Sequence, residues 1–283
     1  MMDAQLQRRL SLVDMFLYYW GRIQRKDLSR HFGIGPVTAS RVLKVYNDLH
    51  PHNIEFSVSN RAYIIASNFN CEYESDVEAA LMLLAYGIES RPMDTTTYGP
   101  ARITGFTAPL VKEWVSAVTR AMVASRGVGI RYISGSGEKL RTVHPHAIFQ
   151  SGTAWYFRAY DVSKQEFRTF RFSRIIGLSE ITKATYDASP EGDDDWNAHV
   201  TLTLSPHEGH HSPEALAMDL GLQGRPVSNA SVKRAMAGFV LTDLRVDCSL
   251  ASSLDPNEFP LRLQNRAELL DVESMLLAPG FDE

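Results

Sequence analysis

The sequence predicts an α+β, multidomain chain: a helical N-terminal module closed by a β-hairpin, a helical connector, a small curled β-sheet and a small α/β tail. Three observations carry this. Apolar residues recur at helical spacing up to residue 49 and again between residues 76 and 125. Between Gly129 and Ile176 the pattern changes to short aromatic and β-branched runs punctuated by Gly, Ser and Asp, which is strand composition. Charge is also segregated, although the whole chain carries only −4. Residues 1–66 hold +4, 67–127 hold −2, 128–176 hold +5 and 177–283 hold −11. Two cationic modules in an otherwise acidic chain point to a polyanionic partner met at defined faces.

In the first module, Leu6, Leu10, Val13, Phe16, Leu17 and Trp20 form one helical stripe. A second helix follows from about Arg25 to Phe32, and Gly33-Ile34-Gly35 makes a tight turn. Pro36 then opens a third helix to about Leu49, at a position where its missing N–H has no helical partner to lose. Helix, helix, glycine turn, helix is the layout of a helix-turn-helix. On the third helix Ala39, Val42, Leu43, Tyr46 and Leu49 gather on one side to pack inward. Val37, Thr38, Arg41, Lys44 and Val45 gather on the other, with Ser40 at the flank. That outer face offers a guanidinium for guanine, hydroxyls, an ammonium for phosphate and methyls for thymine. Ile54–Val58 and Ala62–Ile65 alternate around Ser59-Asn60-Arg61 as a hairpin, hence a wing, with Asn60 and Arg61 at its tip. The candidate DNA-binding residues are Thr38, Ser40, Arg41, Lys44, Asn60 and Arg61.

The connector holds two helices. Asp76 to Ile88 has Ser75 as expected N-cap, Glu78 completing a capping box and Arg91-Pro92 as the stop. Pro109 to Ser125 places Leu110, Trp114, Val118, Ala121 and Met122 along one stripe. Helices so placed can hold a dimer together and set half-site spacing; that contact is the expectation, with intramolecular packing as the alternative.

The β-module contains four short strands: Ile130–Ile133, Leu140–Phe149, Ala154–Tyr160 and Phe167–Phe172. Strands so closely spaced suggest a small curled sheet or barrel. Eight Lys/Arg stand against three acids between Val128 and Ile176. Alternation sends Arg168, Phe170 and Phe172 to one face, Thr169 and Arg171 to the other. Arginine forks beside flat rings suit a ligand bearing phosphate and base; the alternative is solvated arginines lying over core aromatics.

Trp155-Tyr156-Phe157, followed by Arg168-Thr169-Phe170-Arg171-Phe172-Ser173-Arg174-Ile175 and preceded by Val143-His144-Pro145-His146, resembles the signature of WYL-domain transcriptional regulators. Phe157 stands where that family has leucine, and Ser173 where aspartate is common, which leaves the partner of Arg174 open. The resemblance implies an Sm/SH3-like β-barrel that senses a ligand, in several members a nucleic acid. It extends to the winged-helix end and to a C-terminal extension domain that closes a dimer. Chains with this domain order resemble the repressors beside phage-defence gene clusters of the BREX and CBASS types. The expectation is therefore a homodimeric, ligand-responsive repressor on a palindromic operator, with activation on the same fold as the rival. A single-stranded nucleic-acid signal, such as single-stranded DNA, or a nucleotide would alter operator binding at the WYL module. Ligand contacts are expected from Arg158, Arg168 and Arg171 to phosphate, from Tyr156 by stacking, and from His146 and Ser151 as polar groups. The boundaries drawn are 1–66 for the winged helix-turn-helix, 67–127 for the connector, 128–182 for the WYL module and 197–283 for the C-terminal domain.

In the tail, Glu191-Gly192-Asp193-Asp194-Asp195 reads as a solvated linker without calcium-loop spacing. Val200–Leu204 and Phe239–Val246 are expected as strands, and Pro213–Leu220 as a short helix ended by Gly221. His207-Glu208-Gly209-His210-His211 satisfies the H-E-x-x-H zinc-hydrolase pattern. That chemistry needs both histidines on one turn of a stable helix. Here Ser205-Pro206 precedes, Ser212-Pro213 follows and Gly209 lies inside, so a loop is expected. A zinc hydrolase through His207, Glu208 and His211 is the remote alternative. No phosphate loop, nucleophile elbow or paired carboxylates stand out, so the expectation is no enzyme, no cofactor and no metal. Cys71 and Cys248 are far apart and lack zinc-knuckle spacing, and neither has a basic sequence neighbourhood. No apolar run reaches the ~20 residues of a membrane span, and Leu10–Trp20 lacks a cleavage site. A cytoplasmic chain without membrane contact is expected.

Overall fold

The structure is a computed structural model that describes residues 3–73, 75–87, 109–179 and 189–282. The chain divides into two compact units, Met1–Asp187 and Ala188–Glu283, each with its own apolar core. Among the described residues no helix is long and apolar enough to cross a membrane.

The first unit opens with α1 (Ala4–Trp20), capped by Asp3 and closed at Gly21, whose φ of +71° suits the one residue type without a Cβ. Leu10, Val13 and Leu17 are fully buried, as the stripe requires. Then come β1 (Arg22–Ile23), α2 (Arg25–Phe32), α3 (Pro36–Leu49), β2 (Ile54–Ser57) and β3 (Ala62–Ile65). The three strands form one antiparallel sheet in the order β1-β3-β2. β1 is two residues long, too short for a periodic signal. Ala39, Val42, Leu43 and Tyr46 of α3 pack inward as expected, but Leu49 does not: at the last turn it is 46% exposed. The Tyr46 hydroxyl instead anchors α3 by donating to buried Asp14 of α1, and Asn53 Nδ2 donates to that hydroxyl at 3.1 Å.

The connector helices are α4 (Val77–Tyr86) and α5 (Lys112–Val123). The cap of α4 is Asp76, whose carboxylate accepts from the Glu78 N–H, rather than Ser75. The stop expected at Arg91-Pro92 lies outside the described residues. α5 buries Val115, Val118, Thr119 and Ala121, a stripe turned from the expected one; Trp114 is only half-buried. The Thr119 hydroxyl donates to the Tyr19 carbonyl at 2.6 Å. The apolar side of α5 is thus filled within the chain, between α1 and the β-sheet. One continuous core runs from Leu10 to Ile175.

The β-module is a five-stranded antiparallel sheet of β4 (Val128–Ser134), β5 (Gly137–Ser151), β6 (Ala154–Asp161), β7 (Glu166–Arg171) and β8 (Ile175–Ser179), ordered β7-β6-β5-β4-β8. The fifth strand was not among the four expected. A 3-10 turn, Phe172–Arg174, carries the chain from one edge strand to the other, so the sheet must curl. The Arg171 N–H donates to the Tyr132 hydroxyl at 2.9 Å, tying β7 to β4. Among the described residues no ladder joins β7 to β8, however, and a closed barrel is not seen. Phe157, in the family's leucine position, is fully buried and stacks on Phe170 with ring centroids 5.3 Å apart. Burial raises the pKa of the Tyr132 hydroxyl, and the Arg171 N–H and the nearby Arg174 guanidinium oppose that shift.

The second unit holds α6 (Asp194–Asn197), β9 (His199–Pro206), α7 (Pro213–Asp219), β10 (Ser228–Lys233), α8 (Ala237–Asp243), β11 (Val246–Asp247) and β12 (Leu261–Leu263). Its sheet runs β10-β9-β12-β11. The strand expected at Phe239–Val246 is mostly helix α8. A Cβ on Gly238 would lie 1.8 Å from the Ser274 carbonyl oxygen, so glycine lets α8 sit directly on the 273–277 turn. The acidic stretch is more ordered than a linker: Asp193 is buried and caps α6, and Asp195 pairs with Arg234 at 2.7 Å.

Candidate functional site

Two surfaces of the first unit gather the expected binding residues. On α3 the inward packing of Ala39, Val42, Leu43 and Tyr46 leaves Val37, Arg41 and Lys44 exposed on the opposite side, with Thr38 and Ser40 half-buried beside them. Neither Arg41 nor Lys44 forms an ion pair among the described residues. The wing turn presents Asn60 and Arg61, both exposed. Arg61 has φ +48°, a conformation costly outside glycine. Gln24, the residue before α2, holds that turn: its Nε2 donates to the carbonyls of Asn60 and Arg61 at 3.3 and 3.4 Å.

Ser40 and Arg61 meet across a cleft of about 410 Å³ that Gln24, Arg25, Phe56 and Tyr63 also line. The sequence reading missed those four residues. A signal existed for two of them, since a turn centred on Ser59-Asn60 sets Phe56 opposite Tyr63, and they pair in that register.

On the β-module, register decides which residues share a face. Phe149, Tyr156 and Arg171 stand opposite one another across β5, β6 and β7, as do Ala147, Arg158 and Thr169 in the next row. Directly opposed residues point to the same face, and alternate residues along a strand do too. Ser151, Tyr156, Arg158 and Arg171 therefore share one face. His146, the extra residue of a bulge between Pro145 and Ala147, sets its ring edge-on to Phe167 at 5.6 Å, on the same side as Tyr160. Arg168 does not join them. It stands opposite Ala159, on the face of Phe157 and Phe170, and lies 3.2 Å from Glu166. Arg158 is buried, with Nη1 3.4 Å from the Thr169 hydroxyl.

The sheet's three acids each meet an arginine: Glu138 meets Arg131 at 2.6 Å, Glu166 meets Arg168, and buried Asp161 meets Arg141. Lys139, Lys164, Arg171 and Arg174 have no ion-pair partner among the described residues. The Arg171 guanidinium lies 6.0 Å over the Tyr156 ring. Its Nε and the indole Nε1 of Trp155 are buried without a hydrogen-bond partner among the described residues, and both residues border one concavity with Glu78, Thr153 and Ser173. Unmatched buried donors are uncommon, and Trp155 could be taken from sequence only as a core residue.

The H-E-x-x-H stretch is a turn, with the helix starting only at Pro213. His207 is buried with Nε2 3.3 Å from Asp247, whereas His211 Nδ1 faces Asn257 at 3.0 Å. No group of three or more metal-holding side chains occurs among the described residues. Cys71 does have a cation beside it, Lys112 Nζ at 3.1 Å from Sγ, which sequence spacing hid. Burial nonetheless raises its thiol pKa, with Asp14 adding to the effect and Lys112 opposing it. Burial pushes Cys248 up to about 12.

Three family descriptions match successive parts of the chain. Residues 5–86 match the BrxR transcriptional regulator winged helix-turn-helix domain, 113–180 the WYL domain, and 199–269 the BrxR transcriptional regulator C-terminal dimerization domain. Among similar proteins, the DNA-binding transcriptional repressor CapW of Escherichia coli (strain KTE188) is 31% identical over 212 residues, covering 72% of this chain and 70% of that one. The CapW repressor of Stenotrophomonas maltophilia is 29% identical over 211 residues, covering 71% and 70%. That of Pseudomonas aeruginosa is 25% identical over 280 residues, covering 94% and 91%. Among solved structures, the proteasome accessory factor B/C of Arthrobacter aurescens aligns at 16% identity with a TM-score of 0.27; the match spans 96% of this chain but 47% of that one, too loose a likeness to define the fold. With its three domains matched in order and a relative 31% identical over 72% of its length, the chain belongs to the BrxR/CapW family of WYL-domain transcriptional regulators.

Proposed function

We propose that this chain is a homodimeric, DNA-binding transcriptional repressor of a phage-defence operon whose operator binding responds to a ligand at the β-module. In this reading residues 1–66 read a palindromic operator, 128–182 sense, and 197–283 join two copies. The β-module works as an Sm/SH3-like fold, and its ligand is a single-stranded nucleic acid or a nucleotide. The observation that carries the proposal is the two-sidedness of α3. One side is sealed into the core by Tyr46 and its neighbours, and the other presents Arg41 and Lys44 without acidic partners among the described residues. Such a helix fits a major groove, where arginine reads guanine and lysine meets phosphate. The relatives named as repressors support the direction of control.

Coupling has a physical route, since α5 packs between α1 and the sheet within one core. A ligand that favours one arrangement of that core shifts the population able to grip DNA.

Arg41→Ala should cost ~1–3 kcal/mol of operator affinity and loosen base preference at the contacted position. Titration against duplexes from the region upstream of the gene, with each base varied in turn, measures both. Unchanged affinity would show that α3 is not the reading helix. Deleting the gene should raise the neighbouring transcripts; a fall would make the protein an activator.

A further inference from the structure

The cleft between α3 and the wing contains something that reading a groove with α3 alone does not require. The wing face that starts in the core at Ile54, 4% exposed, leaves it at Phe56, which is 58% exposed. Phe56 sits edge-on to its cross-strand partner Tyr63, ring centroids 5.2 Å apart, so the two rings make an apolar wall. Arg25, at the first turn of α2, and Arg61, in the wing turn, flank that wall, and Ser40 closes the α3 side. No carboxylate lines the cleft, and neither arginine has an ion-pair partner among the described residues. The nearest acid along the chain from Arg25, Asp27, is engaged in accepting the Gln24 N–H at 2.7 Å. A large ring left in solvent beside two unmatched cations is a surface prepared for a partner that is both apolar and anionic.

We infer that this cleft grips one sugar-phosphate strand of duplex DNA, with Arg25 and Arg61 on consecutive phosphates and Phe56 against the apolar face of the deoxyribose between them. Gln24 is a positioning residue: through the Asn60 and Arg61 carbonyls it holds the strained turn that aims Arg61. The grip rests on the DNA-binding reading above and adds to it a contact that carries register without sequence information. The duplex strand is favoured over a peptide occupant because the cleft offers two cations and no acceptor carboxylate.

The test titrates the full-length protein by fluorescence anisotropy, at several salt concentrations, against a labelled duplex from upstream of its own gene and a scrambled duplex of equal length. Arg25→Ala should weaken both duplexes alike and lower the slope of log K against log salt by about 1. Phe56→Ala should weaken both by about tenfold and leave the slope unchanged, as loss of an apolar contact requires. Gln24→Ala should weaken binding in the wild-type background and add nothing to Arg61→Ala, a non-additivity that general loosening of the fold would not give. Arg25 and Phe56 are both exposed, so unchanged melting temperatures are expected and accompany each titration. Tight wild-type binding with Arg25→Ala and Phe56→Ala indistinguishable from it would sink the cleft and leave the repressor reading standing. Wild-type protein that bound neither duplex at low salt would sink the DNA-binding reading itself.

Discussion

Arg168 and Arg171 are three residues apart, and strand periodicity alone sends them to opposite faces. What periodicity could not say is which face also holds Tyr156. The ladder answers through register: Arg171 stands opposite Tyr156, and Arg168 opposite Ala159 in the core-side row. Arg168 already has Glu166 beside it, while Arg171 keeps a buried Nε without a partner among the described residues. Arg171→Ala should therefore weaken a labelled single-stranded oligonucleotide by ~10-fold or more, the cost of a lost charge-assisted contact. Arg168→Ala should stay within about twofold, in keeping with an exposed, acid-paired arginine, and both variants should bind operator duplex normally. Equal losses from the two would show that the ligand does not use the Tyr156 face.

At the scale of elements, the loop after β11 is held by one carboxylate. Asp247 Oδ1 accepts from the Ser249 N–H and hydroxyl at 2.8 and 2.6 Å, and Oδ2 meets the Leu254 N–H at 3.2 Å and His207 at 3.3 Å. Burial pushes its pKa up, but these donors outweigh burial and hold it below the ordinary value. The folded form thus binds its proton less readily than the unfolded chain. Its stabilisation is complete above the unfolded carboxylate value of about 3.9 and is lost as pH falls through the lower folded value. Asp247→Asn should cost ~1–3 kcal/mol at neutral pH and should flatten the acid limb of stability, read from melts between neutral and acid pH. An equally steep acid limb in the variant would assign the titration elsewhere.

The same scale shows where sequence was legible. Helices α1, α2 and α3 and the wing declared themselves because each has one apolar side, clear end signals or a tight turn. Phe239–Val246 did not, because its β-branched and aromatic residues favour a strand locally while Gly238 permits close helix packing on residues 273–277, a tertiary cause. Leu49 and the stripe of α5 failed for a related reason: a wheel finds the apolar side but not how far the neighbouring core extends. The candidate ligand face was legible as residue types and only partly as geometry, since the bulge at His146 and the burial of Arg158 depend on pairing across three strands.

At the scale of the whole molecule, the palindromic operator proposed above calls for two copies, and the question is what joins them. The apolar side of α5 packs on α1 and the sheet of its own chain. The second unit offers exposed apolar residues. It keeps Leu244, Leu250, Leu270, Leu276 and Leu277 exposed around a unit whose own core is closed. Leu244 and Leu277 lie near each other, because the Thr242 hydroxyl donates to the Leu277 carbonyl at 2.8 Å. The match of residues 199–269 to a C-terminal dimerization domain makes this unit the proposed place of association. A carboxylate buried there on association would be unpaired and strongly unfavourable. Leu276→Glu should thus convert a dimer to a monomer in light scattering behind size exclusion, with the melting of the first unit unchanged. Because two half-sites bound by one dimer share the cost of association, the monomer should lose ~100-fold or more in affinity for a palindromic duplex and much less for a single half-site. A variant that stays dimeric would move the interface off these leucines, and one that turns monomeric yet binds the palindrome as tightly as wild type would remove the dimer from operator recognition.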